Sequence, residues 1–172
     1  MKSSLSIGRL LSRRGTVAAV LVAALLLCAP SCSLIRKARD RNALAMKGEH
    51  VVSYAKTFLG SPYAYGGSGP RTFDCSGFTC YVYRHFGYEL HRSATDQGAY
   101  DGQRVSRRDL RPGDLVFFGT KGTIGHVGIV TSIEGDGEFK FIHSGSSTGV
   151  TISLSSLNYW KQRYMGASRI LQ

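Results

Sequence analysis

The chain has 172 residues, 42% apolar and 19% charged, a balance that excludes a disordered segment or a multidomain assembly and leaves room for one domain with a short extension. Its net charge is +11, from 22 basic and 11 acidic residues; Lys2, Arg9, Arg13 and Arg14 fall in the first 14 positions, so residues 32–172 retain 18 basic against 11 acidic, or +7. That surplus suits an acidic polymer, but no basic run is interleaved with aromatics and no zinc-finger or RNA-recognition pattern occurs, so no nucleic acid partner is expected.

In chain order, residues 1–31 read as an export signal. A basic stretch precedes the apolar run Val17–Ala29, whose 13 residues are too few for a membrane span of about 20 and suit a signal core. The stretch Ala29-Pro30-Ser31-Cys32 resembles a bacterial lipobox, which makes Cys32 the candidate for lipidation and a membrane anchor. Cys28, after Leu27, is the alternative, and plain export with cleavage nearby is another. Residues 32–48, polar and basic, are expected to form a tether with at most a helical turn or two, and residues 49–172 the folded domain.

Within the domain, Val51, Val52, Ala55, Phe58 and Leu59 recur at helical spacing and Gly60 supplies a stop. Residues 61–71 form a loop. Asp74 is a suitable N-cap for a helix from Cys75 to about Phe86, ended by Gly87. A short helix is expected over Ala94–Tyr100 and a turn at Pro112-Gly113. Strands follow at Asp114–Phe118, His126–Ile133, Phe139–His143, Val150–Ser153 and Tyr164–Leu171. Helices first and antiparallel strands after them give an α+β class, with the N-terminal helices packed on an antiparallel sheet.

Two cysteines belong to the domain. Cys75 and Cys80, five apart on one helix, diverge by about 140° and are expected as free thiols; no zinc spacing is present, and no metal or other cofactor is expected. Cys75 opens the helix, where unpaired N–H groups and the positive end of the dipole lower a thiol pKa and can hold an oxyanion. The competing reading is a small buried apolar residue. A nucleophilic thiol needs an imidazole. His50, His85 and His91 fall on expected helical or polar surface. His126 and His143 sit symmetrically about the Glu134–Glu138 turn, so a regular hairpin sets them opposite each other, Cβ atoms about 5 Å apart, unless a bulge shifts the register. His126 is then the candidate base and His143 the group that orients it. Tyr83, Tyr88 and Trp160 are expected to be core or surface residues.

Six ordered blocks carry a resemblance: Gly60-Ser-Pro-Tyr-Ala-Tyr-Gly-Gly67, Phe73-Asp-Cys-Ser-Gly-Phe78, Arg92-Ser-Ala-Thr-Asp-Gln97, Leu110 to Phe118, Gly125-His-Val-Gly-Ile129 and Phe141-Ile-His-Ser144. Over residues 49–172 the chain resembles the NlpC-type cell-wall cysteine peptidases, a papain-like family, in the layout of its Spr-type murein endopeptidase lipoproteins. The resemblance implies a papain-like fold with Cys75 as nucleophile, His126 as base and His143 as the third polar residue. It further implies that Tyr63 assists the oxyanion or substrate carbonyl, and that Asp74, Ser76 and Ser93 line the substrate groove. The implied activity is hydrolysis of amide bonds in peptidoglycan stem peptides or cross-links, of the D-Glu or diaminopimelate type, by a monomer in the bacterial cell envelope. Two alternatives remain: an amidase or acyltransferase on the same Cys-His frame, and a non-catalytic wall-binding lipoprotein, which needs a broken triad.

Overall fold

The computed structural model describes the backbone of residues 13–172 and the side chains of residues 33–172. The first 12 residues of the expected signal, and the side chains of Cys28 and Cys32, lie outside what is described. Among the described residues no helix is long and apolar enough to cross a membrane. Two units divide the chain, 1–42 and 43–172. Helix α1 runs Arg13–Lys56, so the stretch expected as a tether is helical throughout.

The second unit holds the rest: α2 (Cys75–His85), α3 (Ala94–Tyr100), β1 (Gln103–Val105), a 3-10 turn at Arg107–Asp109, β2 (Leu115–Thr120), β3 (Thr123–Gly135), β4 (Glu138–Gly145), β5 (Gly149–Leu154), α4 (Asn158–Lys161) and β6 (Tyr164–Arg169). The strands form one antiparallel sheet in the order β1-β6-β2-β3-β4-β5. The α+β architecture of helices on an antiparallel sheet is therefore the observed one.

Strand periodicity of two sorts the core onto the two faces of the sheet. Leu115 and Phe117 of β2, Val127 and Ile129 of β3 and Ile142 of β4 pack with Val51 and Ala55 of α1 and Phe78, Val82 and Tyr83 of α2. On the opposite face Val116, Phe118, Val130, Phe139, Phe141 and Ala167 make a second cluster, closed by Trp160 and Tyr164. Both faces of β2 are buried, which is why its sequence reads as an unbroken apolar run and not an alternation.

Two caps fix the short helices. Asp74 accepts from the Gly77 N–H at 2.6 Å at the start of α2, and Ser93 accepts from the Asp96 N–H at 3.1 Å at the start of α3. The fully buried Gln97 then joins α3 to α2: its Nε2 donates to the Ser76 carbonyl at 3.2 Å and its Oε1 accepts from Thr79 at 2.8 Å. The loop before α2 is pinned by close backbone approach. Asp74 N donates to the Gly67 carbonyl at 3.0 Å, and a Cβ on Gly77 would lie 2.0 Å from that same carbonyl oxygen. The glycine of the Asp-Cys-Ser-Gly block is therefore a packing requirement, and it sets where Cys75 stands.

Candidate active site

Cys75 is the first residue of α2, half-buried, and neither it nor Cys80 is in a disulfide. Its sulfur receives the backbone N–H groups of Val127, Ser76 and Cys75 itself, all of which favour the thiolate, but burial outweighs them and pushes the thiol pKa up. The expectation of a thiol lowered by the helix start is thus reversed: desolvation exceeds what one turn of aligned amides returns.

His126 projects from β3 and His143 from β4, on the sheet face that carries Phe118 and Phe141. The two rings meet directly, His126 Nε2 to His143 Nδ1 at 3.0 Å. They are not the directly opposed pair expected from a regular hairpin. Register shifts lie between Val130 and Ser132 and between Ile133 and Gly135, and extending the Ile129–Ile142 pairing sets Gly128 opposite His143. A Cβ on Gly128 would sit 2.7 Å from the Phe141 ring and 3.2 Å from the His143 Cβ. The missing side chain lets His143 lean diagonally onto His126.

Burial lowers the His126 pKa to about 4, and burial together with His126 lowers that of His143 to about 3. At neutral pH both imidazoles are uncharged and the thiol is protonated. Burial thus favours the uncharged form of all three groups.

A cleft of about 430 Å³ opens over these groups, lined by Cys75, His126, Tyr63, Trp160 and Arg163 among others. Tyr63 is held there by its bridge to Phe73; its hydroxyl pKa is raised by partial desolvation and by the nearby Cys75 and Asp74. The other three expected groove residues do not line this cleft. Asp74 is saturated: besides the cap it accepts from Gly66 N at 3.0 Å and from both terminal nitrogens of Arg92, at 3.0 and 2.6 Å. Ser76 accepts from Arg92 at 3.0 Å, and Ser93 is engaged with Asp96. The structure places Asp74, Ser76 and Ser93 in the scaffold that holds the first turn of α2 and of α3.

Three residues escape the sequence reading. Ser153 on β5 meets His143 Nε2 at 2.9 Å. Trp160, expected as core or surface, covers the histidine pair and lines the cleft, its ring centroid 5.2 Å from His126 and 4.9 Å from His143. Arg163 stands on the rim of the same cleft. Only the Ser153 contact had a readable signal, the Gly145–Gly149 turn that sets the β4–β5 register. Among the described residues no group of three or more His, Cys, Asp or Glu side chains is placed to hold a metal ion.

Chemically, the arrangement offers a thiol, a neutral imidazole whose Nδ1 is left free by the His126–His143 contact, and amide and phenol donors beside the sulfur. This is the equipment for acyl transfer.

Comparison with known proteins agrees. The chain is 44% identical over 113 residues to the murein DD-endopeptidase MepS/murein LD-carboxypeptidase of Escherichia coli K12, covering 65% of this chain and 57% of that protein. It is 41% identical over 123 residues to the gamma-DL-glutamyl hydrolase of Bacillus subtilis strain 168, covering 69% of this chain and 28% of that one. It thus spans little more than half of the first relative and under a third of the second. A crystal structure of an NlpC/P60 family protein from Bacillus cereus ATCC 10987 superposes with a TM-score of 0.65 at 33% identity, covering 73% of this chain and 40% of that chain. The model of the NlpC/P60 family matches residues 60–169, most of the second unit and more than half of the sequence. This chain belongs to the NlpC/P60 family.

Proposed function

We propose that the chain is a cysteine peptidase that hydrolyses amide bonds in peptidoglycan stem peptides or their cross-links, of the D-Glu or diaminopimelate type. The observation that carries the reading is that Cys75 and His126 line one cleft, with His143 behind His126, its Nδ1 3.0 Å from His126 Nε2. The names of the two relatives, a murein endopeptidase and a glutamyl hydrolase, support the substrate class.

In this mechanism His126 takes the Cys75 proton as sulfur attacks the scissile carbonyl. The oxyanion is held by the Cys75 N–H and the Tyr63 hydroxyl. His143 accepts from His126 Nε2 and steadies the imidazolium. The proton passes to the departing amine as the C–N bond breaks, leaving a thioester on Cys75. Water, deprotonated by His126, attacks the thioester and restores the thiol.

The test is mass spectrometry of purified peptidoglycan fragments after incubation. Wild type and Cys80→Ala should release peptides, Cys75→Ala should release none, and iodoacetamide should place one equivalent on Cys75. An active Cys75→Ala protein would sink the reading.

The same proposal includes export, a lipid anchor at Cys32 and action as a monomer in the cell envelope. The basic and apolar segments of residues 2–29 and the small Ser31 before Cys32 support the anchor. A Cys32→Ala chain should leave the membrane fraction; if it stays, the anchor is at Cys28 or absent.

A further inference from the structure

Several arginines of the second unit are committed. Arg92 grips Asp74 with two nitrogens. Arg169 grips Asp114 through Nε and a terminal nitrogen, each at 2.8 Å. Arg107 donates to the Gly137 carbonyl and lies over Phe139 and Tyr164. Arg163 differs: among the described residues no carboxylate pairs with it, and it lines the Cys75 cleft.

Its position is fixed without using up its charge. The main chain is held by Arg163 N donating to the Trp160 carbonyl at 3.1 Å and by Gly119 N donating to the Arg163 carbonyl at 2.8 Å. The guanidinium lies 3.9 Å over the Tyr159 ring and donates one hydrogen bond, at 3.1 Å, to the Tyr159 carbonyl. A guanidinium has five N–H donors. The fork is therefore oriented by stacking, with most donors open to a ligand. No acidic side chain lines the cleft and His126 is neutral, so Arg163 is its one permanent charge among the described residues. A planar, pre-oriented guanidinium in an otherwise uncharged cleft is matched in geometry by a carboxylate.

We propose that Arg163 is the carboxylate-binding residue of the Cys75 cleft, selecting an acidic peptide whose free carboxylate lies next to the scissile amide. The assignment rests on the peptidase reading for its substrate, but the anion site is measurable without turnover. Trp160 is the only tryptophan of the chain and lines the cleft, so its fluorescence reports occupancy.

The experiment titrates the full Cys75→Ala chain with a cross-linked stem-peptide dimer bearing free carboxylates, and with the same dimer converted to carboxamides. The acidic dimer should bind at least about tenfold tighter, as expected of a charge-assisted contact. Adding Arg163→Gln should erase that difference by weakening the acidic dimer alone, while Arg163→Lys, which keeps the charge but not the fork, should retain part of it. Equal binding of the two dimers to the Cys75→Ala chain, or discrimination that survives Arg163→Gln in a folded protein, overturns the proposal. In parallel the Cys75-bearing chain is assayed for cleavage of the acidic dimer. Discrimination without cleavage would sink the peptidase reading and leave the carboxylate site standing; cleavage without discrimination would do the reverse.

Discussion

Ser153 Oγ lies 2.9 Å from His143 Nε2, the ring nitrogen turned away from His126. When His143 carries its proton on Nε2 and donates it to Ser153, its Nδ1 holds a lone pair. It then accepts from His126 Nε2–H, which leaves His126 Nδ1 as the free base. Ser153 is thus a positioning residue that acts through two rings. Ser153→Ala should lower kcat about tenfold with KM little changed, and Ser153→Thr, which keeps the hydroxyl, should restore most of it. Nitrogen NMR of the imidazoles should show a mixed tautomer at His143 in the alanine variant. An unchanged kcat with an unchanged tautomer would remove Ser153 from the relay.

The rate should follow a broad profile. Protonated His126 cannot take the thiol proton, so the acid limb should lie near its folded pKa of about 4, well below an ordinary imidazole. The alkaline limb should lie above the ordinary thiol range, because burial raises Cys75. The groups interact, so the limbs describe the coupled set and not single residues. A measured acid limb near 6.5 would mean that the rings are not desolvated in solution as they are in the fold.

The same depression has a consequence for stability. Both imidazoles have folded pKa values, about 4 and about 3, below the unfolded value. Between pH 6.5 and those values the unfolded chain binds more protons, so stability rises with pH across that window and falls on acidification through it. The loss can reach a few kcal/mol, at roughly 1.4 kcal/mol per pKa unit. His143→Gln should flatten the dependence of Tm on pH between about 4 and 6.5. A wild-type Tm constant over that window would contradict the burial of the pair.

Gly77 offers a test by sign. In an exposed helix interior, Gly→Ala stabilises by about 1 kcal/mol. Here the new Cβ would meet the Gly67 carbonyl oxygen at 2.0 Å and Asp74 Oδ1 at 2.9 Å. Gly77→Ala should therefore destabilise, by about 1–3 kcal/mol as overpacking does, and lower activity by displacing Cys75. A rise in the denaturant midpoint would refute the close-approach account.

Where the sequence carries local chemistry, the elements were readable. Asp74 and Ser93 are capping residues followed by short helices, and α3 spans the expected Ala94–Tyr100. The strands β2 to β5 follow their apolar runs. Strand β1, Gln103-Arg104-Val105, was not readable because it is a short edge paired only with β6, with no buried face to impose alternation. One-turn α4 is too short to show a period. At the site, Cys75, His126 and His143 stood out by residue type and position. Their diagonal contact did not, since two register shifts in β3–β4 leave no mark in the pattern. Trp160 and Arg163 reach the cleft from a connection whose path is set by β6 pairing with β2, a long-range fact with no local signature.

The strand order also governs when the chemistry can begin. The Cys75 sulfur comes from α2, the His126 ring from β3, the His143 ring from β4 and the Ser153 hydroxyl from β5, so no short stretch of the chain contains the whole set. Non-local strand pairing is the slow part of forming such a topology. An unfolded or half-formed chain carries the thiol without the histidine pair at hand. Under the proposed mechanism, folding of the sheet is therefore what brings the reactive set together.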